Sequence, residues 1–454
     1  MAHTLTIEAF GARLRAGTLT AAGVLENCLG RIGAENERLR AFVTVLADDA
    51  RREAAERDRE LAAGLDRGPL HGVPVAVKDL IDIAGVPTTA SSHVRDGHVA
   101  TSTAPVVANL RRAGAVIVGK TNLHEFAYGT TSDDSAYGAV RNPHDPSRSP
   151  GGSSGGSAVA LVTGMALGAL GTDTGGSIRI PAAACGTVGL KPTYGEVCAD
   201  GVVPLSRTLD HVGPMTTSVT DAWIMHRALL GVMGGALRPA RAVQGLRLGV
   251  PRAYLCEVLD TEVRAHFDAS IDDLRRAGAT VRDVVIPHAS ATPAVYVHIH
   301  ASESTAYHAR MLDLAPERYT PPVRMRLEMG RYVMAQDYLL ALEGQQALRR
   351  EVDAAMSDVD ALLLPSMPIP AQPIGADTVL VNGSTELVRP MMLRLTQLFN
   401  LTGHPALSMP CGWTSQGLPT SLQFVGRRFE TEALLALGVG CEAALAPRLS
   451  ASRR

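Results

Sequence analysis

Lys78 closes an apolar run, Val73-Pro74-Val75-Ala76-Val77, and is followed by Asp79. An ammonium at the end of such a run is stripped of water. Burial disfavours its charged form, and a neutral lysine can act as a base. Two glycine-serine segments offer it partners: Gly151-Gly152-Ser153-Ser154-Gly155-Gly156-Ser157, and Gly171-Thr172-Asp173-Thr174-Gly175-Gly176-Ser177. In the second, Gly175 and Gly176 free the backbone to turn, and residues 177–184 can begin a short helix. Its unpaired amides, reinforced by the helix dipole, suit the negative oxygen of a tetrahedral acyl intermediate. Lys78, Ser153 and Ser177 are thus candidate catalytic residues of a serine hydrolase that works without histidine.

Each segment also has a purely structural reading. Lys78 can snorkel from a strand end to Asp79 or Asp82, and Ser177 can cap a helix. The glycine-serine run can be a linker, although the apolar text after it argues otherwise. Competing motifs fare worse. Gly151-x-Ser153-x-Gly155 matches the nucleophile elbow of an α/β-hydrolase, with Ser153 as nucleophile, but Pro143, Pro146 and Pro150 stand where a strand is required. No Gly-Lys-Ser/Thr closes a phosphate loop, neither glycine segment fits GxGxxG after a strand, and His124-Glu125 lacks the second histidine of a zinc peptidase.

The elements that must position these residues read as α/β. Residues 6–65 form a helical N-terminal layer (1–65), with mixed charges from 48 to 60 marking a solvated helix face. An α/β core (66–454) follows, with strands at 73–77, 115–118 and 167–171 and a tightly packed helix over 158–170. Leu-Arg-Arg-Ala-Gly-Ala occurs at 110–115 and again at 274–279, each time as a helix ending in glycine before a strand. Residues 244–287 read as strand, helix, strand. Further strands fall at 361–364, 406–409 and 420–425, and together these predict one large domain with a mixed twisted sheet covered by helices.

The 43 basic and 45 acidic side chains nearly cancel and form no long like-charged run. That disfavours nucleic acid or an acidic lipid surface and favours a small, weakly charged substrate. Six scattered cysteines show no metal spacing and read as buried, inert thiols. Met1-Ala2-His3-Thr4-Leu5 lacks a leader pattern, and residues 158–170, taken as the longest apolar stretch, fall short of the ~20 residues that cross a bilayer. A cytoplasmic protein, off the membrane and without cofactor or metal, is expected.

Taken together, the chain resembles the amidase signature family over roughly residues 5–443. Lys78, Ser153 and Ser177 match the family's lysine, cis-serine and nucleophile motifs. Gly186-Thr187-Val188-Gly189-Leu190-Lys191-Pro192-Thr193 and Asn400-Leu401-Thr402-Gly403-His404-Pro405-Ala406 match as well. The resemblance implies that Ser177 attacks a carbonyl carbon while Ser153, after a cis peptide bond, relays the proton to neutral Lys78. It assigns the oxyanion hole to the amides of Thr174, Gly175, Gly176 and Ser177, and supporting roles to Ser154, Asp173 and Arg179. For the last two, a structural ion pair bracing the loop is the preferred reading.

The family cleaves amides, and some members cleave esters or carbamates. Tyr128, Gly129 and Thr130, with a variable region at about 290–340, are the candidate pocket walls. One alternative is the glutamine-hydrolysing component of glutamyl-tRNA amidotransferase, which by resemblance sets an acidic residue shortly before the Asn400 motif. Here that segment is Met391-Met392-Leu393-Arg394-Leu395. A stand-alone hydrolase of small amides, esters or carbamates, as monomer or homodimer, fits better; a non-catalytic scaffold is the remote alternative.

Overall fold

β-Rich apolar runs become strands, and the central ones, such as those at 74–78, 116–121 and 168–173, are buried along their whole length, as expected where helices cover both faces of a sheet. In chain order the strands are β1 (Phe42–Val45), β2 (Pro74–Lys78), β3 (Val116–Thr121), β4 (Gly168–Asp173), β5 (Val188–Lys191), β6 (His211–Thr216), β7 (Arg247–Val250), β8 (Thr280–Asp283), β9 (Ala361–Pro365), β10 (Thr378–Val381), β11 (Ser384–Leu387), β12 (Ala406–Trp413) and β13 (Pro419–Val425). The computed structural model describes residues 5–234 and 237–452. Residues 1–4, part of the segment expected to lack a leader, lie outside the described residues. Among those described, eleven strands build one mixed sheet in the order β1-β3-β2-β4-β6-β5-β12-β13-β9-β7-β8, and β10 pairs with β11 as a separate hairpin. The fold is α/β, as expected.

Strands β2 and β4 run parallel, with Val77 opposite Leu170. Their ends, Lys78 and Asp173, therefore emerge at the same sheet edge, the carboxyl edge where α/β folds place their ligands. The pairing of β2 with β3 slips by one residue, from Val75 opposite Ile117 to Ala76 opposite Gly119. Beyond the slip, Val77 faces Lys120 and Lys78 faces Thr121.

Both repeated joints form as read: helices Pro105–Arg112 and Thr261–Arg276 end at Gly114 (φ 94°) and Gly278 (φ 98°), and β3 and β8 follow. Three expectations need correction. The N-terminal layer is not wholly helical, because β1 lies between the helices Ala21–Leu39 and Ala47–Ala62 and pairs antiparallel with β3. The helix read over 158–170 spans only Gly155–Val162. The chain then turns at Gly164, and its apolar remainder enters β4; a buried strand and a buried helix carry the same unbroken apolar text. Residues 158–170 are also not the longest apolar stretch. Helix Thr431–Ser452 is long and apolar enough over 431–450 to cross a membrane, but its Leu435, Cys441 and Leu445 are fully buried in the core that also takes in β12.

A buried polar network ties the central strands to the C-terminal half. Arg179, in helix Arg179–Cys185, donates to both carboxylate oxygens of Asp173 (2.9 and 3.0 Å) and to Thr396 O, Gln423 Oε1 and Asn400 Oδ1 at 2.7–3.0 Å. Asn400 Nδ2 returns to Asp173 Oδ1 at 2.8 Å. Burial alone would raise the Asp173 carboxyl, but the Arg179 guanidinium holds it well below the usual carboxylate range. Removing one partner of a fully buried pair leaves the other charge uncompensated, so Asp173→Asn or Arg179→Met should each cost about 3–5 kcal/mol. Denaturant midpoints would show this, with the double variant losing less than the sum. Additive losses would mean that the two residues act independently.

Candidate active site

The Lys78 side chain is fully buried. Its Nζ lies 2.8 Å from Ser153 Oγ and 2.8 Å from Thr172 Oγ1. The alternative partners are engaged elsewhere or absent. Asp79 pairs with Lys120 at 3.0 Å, both side chains fully buried, and Asp82 makes no ion pair with any described residue. Burial pushes the Lys78 ammonium down to about 7, against the pull of Asp173 and Asp210.

Ser153 follows a cis peptide bond from Gly152. Its carbonyl accepts from His124 N (3.2 Å) and Ser132 Oγ (3.1 Å), which anchors the backbone while the hydroxyl faces Lys78. Ser154 joins the two glycine-serine segments: its N–H donates to Ser177 O at 3.2 Å, and its hydroxyl donates to Thr172 O at 3.2 Å. The Ser153 and Ser177 hydroxyls are not hydrogen-bonded to each other. Such contacts commonly tighten only when substrate is bound.

In the second segment Gly176 takes φ 143°, a conformation that side chains rarely adopt. Thr174 Oγ1 donates to Asp210 Oδ1 at 2.6 Å, and Thr396 Oγ1 donates to Gly175 O at 2.6 Å. Burial raises the Asp210 carboxyl to about 6 against the hydrogen bonds it accepts from Thr174, Ser206 and Leu205. The N–H groups of Gly175, Gly176 and Ser177 donate to no described residue. Ser177 does not cap the helix after it: Ile178 occupies the cap position, and Asp173 Oδ2 accepts its N–H at 3.1 Å. Ser177 instead lines a narrow cleft with Tyr128, Gly129, Thr130, Tyr296 and His300.

Of the three candidate side chains, Lys78 and Ser153 are thus in direct contact, and the Ser177 backbone is tied to the same segment through Ser154. Asp173 and Arg179 form the brace described above, and Tyr128, Gly129 and Thr130 reach the cleft. Tyr296 and His300, from helix Thr292–Leu314, fall within the variable region at about 290–340. Leu205, Arg389 and Leu393 also line the cleft, and sequence reasoning does not reach them. Nothing local marks them, although the segment 391–395 stands out for lacking an acid. Among the described residues, no group of three His, Cys, Asp or Glu is placed to hold a metal ion. Five of the six cysteines are buried, and all are unpaired.

Residues 23–435 match the Amidase family. An amidase of Pseudomonas putida is 41% identical over 97% of this chain and 96% of its own length. A glutamyl-tRNA(Gln) amidotransferase subunit from Chloroflexus aurantiacus is 37% identical over 96% of both chains. A crystal structure of an amidase superposes with a TM-score of 0.91 at 40% identity, covering 97% of this chain and 100% of that one. By sequence and by fold, this chain belongs to the Amidase family and is an amide-hydrolysing enzyme.

Proposed function

We propose that the chain hydrolyses the carbon–nitrogen bond of a small-molecule amide through a Ser177–cis-Ser153–Lys78 triad and an acyl-enzyme intermediate. The observation that carries this reading is the dry Lys78 amine, 2.8 Å from the Ser153 hydroxyl and without a carboxylate partner. Neutral Lys78 accepts the Ser153 proton, and Ser153 takes that of Ser177 as Ser177 Oγ bonds to the carbonyl carbon. The oxyanion meets the amides of Thr174, Gly175, Gly176 and Ser177. As the C–N bond breaks, the proton returns through Ser153 to the leaving nitrogen. Water then attacks the acyl ester, giving its proton back along the same route, and the C–O bond to Ser177 breaks to release the acid.

The same geometry serves esters and carbamates, and the chemistry calls for no cofactor. Ser177 is favoured over Ser153 as nucleophile because Ser177 lines the cleft, whereas Ser153 is fully buried against Lys78. Against glutamine as substrate, the cleft wall carries Leu393 in the segment where an acid for the glutamine amine would stand. A stand-alone amidase, as monomer or homodimer, is the reading adopted.

Below about pH 7 Lys78 is protonated and cannot accept the relayed proton, so kcat/KM should rise with pH through about 7 and then level off. Lys78→Ala should lower kcat by about 10²- to 10⁴-fold and abolish that rise. A wild-type rate in this variant, unchanged from acid to alkaline pH, would remove the lysine from the mechanism. Labelling with a fluorophosphonate, followed by peptide mapping, should place the adduct on Ser177; an adduct on Ser153 would favour the nucleophile-elbow mechanism instead. A panel of aliphatic and aryl amides, carbamates and glutamine should show turnover of simple amides ahead of glutamine.

A further inference from the structure

Past Ser177 the cleft adjoins a second cavity of about 430 Å³. Tyr296, His300, Arg389 and Leu393 line both spaces, so the two are contiguous along these residues. Arg389 differs from the other cations of this region. Its Nε is buried without a hydrogen-bond partner, and its guanidinium forms no ion pair with a described residue; its Cζ lies 5.8 Å from the centre of the Tyr128 ring. Glu386 lines the same cavity but does not pair with it. By contrast, nearby Arg326 donates to Tyr128 O at 2.9 Å and lies in the field of Asp133 and Asp134. A guanidinium half withdrawn from water with an unsatisfied donor lacks the partner that such groups normally have.

The neighbouring rings narrow the choice of ligand. His300 stacks on Tyr296 (centroids 4.5 Å apart, 21° between planes) and meets the Tyr128 ring edge-on at 5.2 Å. Its Nδ1 bonds Tyr296 O at 3.1 Å, and its buried Nε2 has no partner. Burial, with Arg389 nearby, pushes the imidazole down to about 3, so it is neutral and its Nε2 lone pair is free to accept. The wall therefore presents flat apolar surface, one acceptor and one uncompensated cation.

We propose that Arg389 is a specificity-determining residue that receives a carboxylate at the distal end of the substrate, on a flat unsaturated body lying against Tyr128, Tyr296 and His300. Arg forks match carboxylates in geometry as well as charge, which a lysine does not reproduce. This subsite rests on hydrolysis at Ser177 as proposed above, with the amide at one end of the molecule and the anion at the other.

Binding separates the two ideas. Calorimetry on the Ser177→Ala protein with 4-carbamoylbenzoate, its methyl ester and benzamide should give about tenfold or greater preference for the acid, the scale of a hydrogen bond to a charged group. Adding Arg389→Met should erase that preference, and Arg389→Lys should restore only part of it. In the active enzyme, Arg389→Met should lower the ratio of kcat/KM for the acid over benzamide by a similar factor. Equal binding of acid and ester, or a preference that survives Arg389→Met, overturns the subsite. Preferential binding through Arg389 with no turnover of any of the three amides would leave the subsite standing and sink the hydrolytic reading instead.

Discussion

The site depends on keeping one amine dry and unpaired. An ammonium at the end of an apolar strand ordinarily reaches for a carboxylate or for water, and either would hold it protonated. Around Lys78 both routes are closed. Asp79 is committed to Lys120, Asp173 is held by Arg179 and Asn400, and the amine faces only the hydroxyls of Ser153 and Thr172. Desolvation is thus the dominant influence on this lysine, and the nearby carboxylates act as a counterweight that keeps its ionisation near neutrality.

Everything that surrounds this amine is arranged to hold polar groups in place. The carbonyl of Ser153 is pinned from two sides, Ser154 links the two glycine-serine segments, and Thr174 and Gly175 are held by Asp210 and Thr396. Donors that await a developing charge are useful only if they need not reorganise. The brace from Asp173 through Arg179 to Asn400 and Gln423 serves that end, because it couples the loop to helices and strands more than two hundred residues away.

What could be read from the sequence was local. The apolar run ending at Lys78, the glycine joints at 114 and 278 and the buried strand near 361 all declare themselves through short-range pattern and backbone preference. Lys78 is marked by the apolar run that it ends, and Ser153 and Ser177 by their glycine-rich segments, although each segment alone also admits a structural reading. Elements decided by distant contact were not. Strand β1 follows from pairing with β3, and the early end of helix Gly155–Val162 follows from the need to feed a central strand. Arg389, Leu393 and Leu205 reach the cleft from three-dimensional proximity alone, and their neighbours in sequence say nothing of Ser177.

The one-residue slip between β2 and β3 sorts two lysines. Side chains alternate between the faces of a sheet, and residues paired across strands share a face. With the slip, Lys78 sides with Thr121, whose hydroxyl meets Ser157 at 2.8 Å on the serine-bearing helix, while Lys120 sides with Val77 and finds Asp79. Without it, Lys78 would stand opposite Lys120, and two cations would compete for one carboxylate in one dry compartment. A single unmatched residue in a strand pair thereby partitions an unpaired amine from an ion pair.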